Sequence, residues 1–376
     1  MPRIVYFSHL FPRATLPEYG LNTYNTASRV RGEVLVLTRN LAEPLIQTSS
    51  SVQVQQIRYP DSHLQLLKKN NGIMRIIGFA QSLAGQLLFA IKAIIPVRTY
   101  RADIIHSIGA LTLPAAYLAR LATGAPVVVS LHGTDFHRVN QNSFLVWWVG
   151  QADAIVCVSQ HMVDALQKKL PNKSIYYCPS GVDLKIFKND HSFQRENVIV
   201  CVGRLTYVKR YDRILDAFAR IVQKSPEYQL MIMGRGDLLD ELKLKAEKLG
   251  IFDRVIFGGI VEQDELMKIY RSSKLFLLTS DWEGTPKALL EAMACGVPAV
   301  TTDVGDCGYL VQGAGLVVKD YSPDSIAQAA LDVLEGGNWD ALSAQAVTNA
   351  SQFDWQQVTN QLVSIYGTLN PWAFHE

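Results

Sequence analysis

The sequence predicts an α/β protein of two Rossmann-like, doubly wound domains facing a cleft. Short apolar runs alternate with helical periodicities nearly from end to end, the pattern of a parallel sheet flanked by helices. A polar stretch of weak periodicity, residues 186–196, interrupts that alternation, which then starts afresh. The length of 376 residues also exceeds what a single hydrophobic core usually spans. The expected division is a first domain over residues 1–185, a linker over 186–196, a second domain over 197–352 and a closing helix over 353–376.

In order, the first strand is expected over residues 4–7, before a loop with Pro12, Pro17 and Gly20 and a helix ending near Arg31. Strands follow at 34–38 and 52–58. Then comes a window in which Ile73, Ile76, Ala80, Leu83, Leu87 and Ile91 keep a helical period. Between His63 and Asp103 lie Lys68, Lys69, Arg75, Lys92, Arg98 and Arg101, and no acid. Polar residues break the apolar run too often for a membrane span. Two readings stay open. One is a basic amphipathic helix on an anionic membrane surface, with Lys68, Lys69 and Arg75 as contacts; the other is a core helix with solvated charges.

Further strands are expected at 104–106, 127–131 and 154–159. His132 follows the strongly apolar strand 127–131, just before a turn. A histidine at the carboxyl end of such a strand can meet a ligand in acid–base chemistry or by hydrogen bonding, or be satisfied by local backbone. His106 raises the same question more weakly. In the second half, strands are expected at 198–202, 230–233, 255–257, 275–278, 299–301 and 315–318. After the first of these, Gly203, Arg204 and Lys209 make a turn whose two cations suit a diphosphate, Arg as a fork and Lys as a point charge; a solvated basic loop is the alternative. Gly234 lies in a glycine turn too short for a dinucleotide fingerprint.

The most informative stretch runs from Ser280 to Gly296, after the buried strand 275–278. Thr285 reads as an N-cap and Pro286 as the first helical residue, with Gly296 and Pro298 closing the helix. Ala288, Leu289, Ala292 and Met293 share one face, and Glu291 points away from it beside Lys287. Glu283 sits in the preceding loop. Two carboxylates and a helix N-terminus thus meet where open α/β sheets bind ligands. Free amides suit phosphate, and carboxylates suit sugar or ribose hydroxyls. The alternative is an ordinary strand–loop–helix unit with surface glutamates.

Composition narrows the class. The formal charge is +2, but residues 1–102 hold 12 Lys/Arg against 4 Asp/Glu. No nucleic-acid module appears, and the basic residues are not interleaved with aromatics, so nucleic acid is not an expected partner. Five cysteines without metal-ligand spacing and no signal-peptide pattern lead to the expectation of a reduced, cytoplasmic protein, peripheral on the inner membrane face if the basic helix binds lipid.

Four segments in the second half follow one another as in a known family: Val202-Gly203-Arg204 with Lys209, Met233-Gly234-Arg235-Gly236, Phe257-Gly258-Gly259, and Glu283-x7-Glu291 running into Ala292-Met293-Ala294-Cys295-Gly296. With Leu131-His132-Gly133-Thr134-Asp135 and Ser180-Gly181-Val182-Asp183 more loosely in the first half, the chain resembles the retaining glycosyltransferases of family four, which have the GT-B fold. The resemblance implies that Arg204 and Lys209 hold the donor diphosphate and that Glu291 binds the ribose. It assigns Glu283 and the amides of Gly284, Thr285, Pro286 and Lys287 to the donor sugar, and the amides of Ala288 and Leu289 to the distal phosphate. Proline has no amide hydrogen, so Pro286 counts here only as part of that segment.

His132 would approach the sugar from the other domain, Gly20, Gly203, Gly234 and Phe257 would line the donor site, and the closing helix would cross back to the first domain. Many relatives carry a Gly-Gly pair where this chain has Glu18-Tyr19-Gly20-Leu21-Asn22, with one glycine. No metal or cofactor is implied, since cations and the helix dipole can neutralise the leaving group. The implied activity is transfer of a sugar, from a UDP-sugar first and a GDP-sugar second, to a glycan or lipid-linked acceptor in cell-surface polysaccharide or glycolipid synthesis. A nucleotide-sugar epimerase on this fold and a catalytically silent sugar-nucleotide-binding scaffold are the competing readings.

Overall fold

Two runs of strands, buried at the centre of each sheet and partly exposed at its edges, build two parallel sheets in a computed structural model that describes residues 1–12, 20–39, 45, 50–58, 72–190 and 194–374. The first sheet contains β1 (Arg3–Ser8), β2 (Glu33–Arg39), β3 (Val52–Ile57), β4 (Ile104–Ile108), β5 (Val127–Leu131), β6 (Ala154–Cys157) and β7 (Ile175–Tyr177). The second contains β8 (Val198–Val202), β9 (Gln229–Met233), β10 (Val255–Gly259), β11 (Leu275–Leu278), β12 (Ala299–Thr302) and β13 (Gly315–Val318). Strand β7, short and half-buried, carries too little apolar pattern to be seen from sequence.

The order is β3-β2-β1-β4-β5-β6-β7 in one sheet and β10-β9-β8-β11-β12-β13 in the other. In each, the chain steps outward from its first strand, then crosses over and steps the other way. The strand order therefore reverses between β1 and β4, and again between β8 and β11. That is the doubly wound topology, whose ligand crevice lies outside the carboxyl ends at the reversal.

The chain divides into two units, Met1–Cys178 with Val358–Glu376, and Pro179–Gln357. In the first, the helix Trp355–Leu369 delivers Tyr366 to the sheet, where its hydroxyl meets His106 Nδ1 at 2.5 Å and the Tyr6 hydroxyl at 3.1 Å. His106 Nε2 lies 2.7 Å from Ser130 Oγ. This fully buried network answers the question His106 raised: its ring is satisfied internally, and burial lowers its pKa to about 3. The five cysteines are free and buried.

The described residues of the expected linker, 186–190 and 194–196, fall inside the second unit. Asp190 pairs with Arg271, whose Nε donates to the Lys188 carbonyl at 2.8 Å. Arg195 donates to the carbonyls of Tyr270 and Ser273 at 3.0 Å and of Cys295 at 2.7 Å, with its guanidinium 5.3 Å from the Trp339 ring centre. These carbonyls close the helices Gln263–Ser272 and Lys287–Ala294, so one cation serves two helix ends. Polarity without periodicity marked a docked strap here, because side-chain-to-backbone capping leaves no periodic trace.

Candidate active site

The reversal point of the second sheet lies between β8 and β11, and the loops after these strands are fastened together. The Asp281 amide donates to the Val208 carbonyl at 2.8 Å, and Thr279 Oγ1 donates to the Arg210 carbonyl at 2.9 Å. The Asp281 carboxylate pairs with Arg213 at 2.7 Å and Arg210 at 3.2 Å. Arg210 holds φ +50, a conformation uncommon for a residue with a Cβ and one that loop contacts must maintain.

The clamp sets Lys209 against Glu283. Lys209 Nζ lies 2.6 Å from Glu283 Oε1, and Ser280 Oγ donates to the same oxygen at 2.7 Å. Glu283 is only 8% exposed, so this pairing is what makes a carboxylate tolerable there. Its Oε2 accepts no hydrogen bond among the described residues. Ser280 is itself fixed, its carbonyl accepting from Thr302 Oγ1 at 2.7 Å. Arg204 leaves the end of β8 exposed, and its guanidinium makes no hydrogen bond or ion pair among the described residues.

The helix Lys287–Ala294 begins one residue later than expected, with Pro286 in the cap position and no side-chain cap. Thr285, expected as the cap, donates instead to Asp306 Oδ2 at 3.2 Å, because the β12 loop brings that carboxylate alongside. The amides of Lys287 and Ala288 donate to nothing among the described residues, which leaves a helix N-terminus open to an anion. Gly305 has φ +55, and a Cβ there would stand 2.5 Å from the Glu283 carbonyl. The β12 loop therefore packs directly under the Glu283–Gly284 backbone, and the Asp306 amide donates to the Gly284 carbonyl at 3.1 Å.

Leu289, Ala292 and Met293 are buried as their spacing implies, whereas Ala288 is half-buried. Glu291 does not simply point outward beside Lys287. It is half-buried and accepts from the Tyr270 hydroxyl at 3.2 Å. Burial raises its carboxyl pKa, with Lys287 and then Tyr270 pulling it back.

Gly203 and Gly234 sit where the β8 and β9 loops touch: a Cβ on Gly234, at φ +135, would lie 2.0 Å from the Gly203 carbonyl oxygen. The Gly234 amide donates to Gly259 at 2.6 Å, joining the β10 loop to the other two. The ring of Phe257 packs on the hydrophobic core and against Phe252, so only its backbone lies with these loops.

In the first unit, His132 stands at the carboxyl end of β5. The expected turn is in fact the start of a helix, Gly133–Asn140, with His132 in the cap position. Desolvation lowers its imidazole pKa to about 4. Gly20 begins the helix Leu21–Arg29 beyond β1 at φ +80, where a Cβ would meet the Leu10 carbonyl oxygen at 2.6 Å. Glu18, Tyr19, Lys68 and Lys69 lie outside the described residues, as does the side chain of Arg75. Sequence reasoning missed the roles of Ser280, Thr302, Tyr270 and Asp306, whose contacts no local pattern records.

Residues 33–186 match the family model described as Glycosyltransferase Family 4, and residues 183–353 that described as Glycosyl transferases group 1. The chain belongs to these glycosyltransferases, and its paired doubly wound sheets are their GT-B fold. Among relatives, it is 27% identical over 271 residues to N-acetyl-alpha-D-glucosaminyl L-malate synthase of Bacillus anthracis, covering 67% of this chain and 70% of that one. Sucrose-phosphate synthase from Thermosynechococcus elongatus superposes with a TM-score of 0.79 at 18% identity, over 98% of this chain and 99% of the other. Anabaena HepE, solved with UDP and with UDP-glucose, superposes at 0.74 and 19% identity, over 98% and 100%.

Proposed function

We propose that this glycosyltransferase moves a glycosyl unit from a nucleoside diphosphate sugar, a UDP-sugar first and a GDP-sugar second, to a glycan or lipid-linked acceptor. Transfer retains the anomeric configuration and uses no metal ion. The observation that carries this reading is the convergence of Arg204, Lys209, Glu283 and the open amides of Lys287 and Ala288 at the reversal point of the second sheet. An unpaired guanidinium, an ammonium and a helix N-terminus can neutralise a departing diphosphate, the task a divalent ion would otherwise perform. The bound UDP and UDP-glucose of HepE support the donor class.

In this mechanism the sugar–phosphate bond breaks as positive charge builds on the anomeric carbon. Arg204 and Lys209 stabilise the charge growing on the diphosphate. Glu283 Oε2 accepts from a sugar hydroxyl, and Glu291 accepts from the ribose. His132, neutral at physiological pH by virtue of its burial, is assigned a hydrogen bond to the transferred sugar. The leaving phosphate takes the acceptor proton, so no protein base is required. The cytoplasmic face of a membrane is the setting this acceptor class implies.

Thermal-shift screening with UDP-, GDP- and ADP-sugars identifies the donor, since a ligand that binds the native state raises Tm. With the donor and an acceptor in hand, Arg204→Ala should lower kcat by on the order of 10²-fold, as for loss of one transition-state donor. Unchanged turnover would refute the assignment. Activity that survives EDTA is expected, and an NMR spectrum of the first product should show the donor's anomeric configuration. Epimerised sugar nucleotide without an acceptor would identify the epimerase instead.

A further inference from the structure

On the first unit, three successive crossovers carry an apolar surface that no described element covers. Right-handed connections put the segments between β3 and β4, β4 and β5, and β5 and β6 on one face of the sheet. The helices Gly72–Tyr100 and Leu113–Thr123 pack together there, and the Tyr117 hydroxyl donates to the Trp148 carbonyl at 2.7 Å, setting the helix Ser143–Val149 alongside. Leu87, Ile91 and Ile95, at i, i+4 and i+8, form a stripe between 52% and 74% exposed on the long helix. Phe144 and Trp147, rings 5.7 Å apart, are each more than half exposed on the short one.

The helices that carry the stripe and the aromatic pair, Gly72–Tyr100 and Ser143–Val149, hold Arg75, Lys92 and Arg98 and no acid, whereas farther along the face Arg120 pairs with Asp153 and the helix Gln160–Gln167 adds Asp164. The helices Gly72–Tyr100, Leu113–Thr123, Gly133–Asn140 and Ser143–Val149 contain a single acid, Asp135, against five Lys/Arg. Its carboxylate is turned in on the loop after β4, where a Cβ on Gly109 would meet Oδ2 at 2.7 Å. Lys92 and Arg98 are exposed beside the aliphatic stripe. An occupant must therefore be apolar within and negative at its surface. A second copy of this chain would bring cation against cation. An acidic protein with an apolar groove takes in the stripe of a single helix, whereas here the aliphatic stripe and the aromatic pair stand on separate helices set side by side, a layout that suits a planar surface. No described helix is long and apolar enough to cross a membrane, so contact would be in the interface plane.

We propose that this face docks on an anionic lipid bilayer, with Leu87, Ile91 and Ile95 entering the acyl boundary, Phe144 and Trp147 at headgroup depth, and Lys92 and Arg98 on lipid phosphates. The proposal names a partner for the proposed function but does not rest on the donor assignment, and its test reads binding alone.

Flotation of the full chain with phosphatidylcholine vesicles, with and without phosphatidylglycerol, decides it. Binding is expected to the anionic vesicles only, and to weaken with salt. The Leu87→Ser/Ile91→Ser/Ile95→Ser variant should lose about tenfold or more of that binding. Lys92→Gln/Arg98→Gln should lose about tenfold on anionic vesicles alone. All substituted side chains are exposed, and unchanged circular dichroism would show that the fold is kept. The proposal is overturned if wild type fails to float at low salt, or if the stripe variant floats like wild type. A dimer in light scattering that the stripe variant abolishes, without flotation, would replace it with self-association.

Discussion

Glu283 Oε1 receives both the Lys209 ammonium and the Ser280 hydroxyl, which leaves the other carboxylate oxygen for an external donor. Each pairing predicts a distinct loss. Lys209→Met strands a nearly buried carboxylate and should cost about 2 kcal/mol in denaturant unfolding, below the range for fully buried pairs because Lys209 is partly solvated. Adding Glu283→Gln should restore most of that stability while activity stays lost. A double variant no more stable than the single would show that the pair is not what holds the loop. Ser280→Ala keeps the Thr302 contact, which is to backbone, and removes one charge-assisted hydrogen bond. The expected effect is a loss of about 1–2 kcal/mol, with a rise in KM for the donor as Glu283 gains freedom to rotate. Sequence showed Glu283 and Lys209 through their types and strand-end positions. Ser280 stayed hidden, because a serine closing an apolar strand looks like a turn residue until its hydroxyl has an address.

Between elements, what matters is how closely backbones approach. Gly234 permits the β8 and β9 loops to touch, and Gly305 permits the β12 loop to lie under the Glu283–Gly284 backbone. Gly305→Ala adds a Cβ 2.5 Å from the Glu283 carbonyl oxygen at a φ that alanine resists. It should lower stability by about 2 kcal/mol or more and displace Glu283, read as a fall in Tm with a larger proportional loss of donor binding. The parallel strands other than β7 were legible from period and punctuation, since burial leaves continuous apolar runs. The docking of residues 186–190 and 194–196 and the start of the helix at Lys287 rather than Pro286 were not. Both depend on partners distant in sequence, Arg195 on helix-end carbonyls, Arg271 on the Lys188 carbonyl and Thr285 on Asp306, and no local pattern records them.

Across the whole molecule, the buried His106–Tyr366–Tyr6 network ties the returning helix to the first sheet and sets an acid limit on stability. The His106 pKa is lowered on folding from 6.5 to about 3, so the unfolded chain takes up the proton first. Its contribution to stability is complete above pH 6.5 and is lost as pH falls toward 3, with a slope approaching about 1.4 kcal/mol per pH unit. Urea midpoints of the wild type should drop between pH 7 and pH 5, and His106→Gln should flatten that drop. An equal drop in the variant would place the acid sensitivity elsewhere; His132, lowered to about 4, is the next group to examine.

The return of Val358–Glu376 to the first unit also orders events during synthesis. A chain emerging from the ribosome amino end first has all thirteen described strands before it has Tyr366. The second unit, continuous from Pro179 to Gln357, can close as soon as it clears the exit tunnel. The first must wait with Tyr6 and His106 unsealed until the helix Trp355–Leu369 arrives. The half translated earliest is thus the half finished last, and for that interval its open core is a client for whatever chaperone attends the nascent chain.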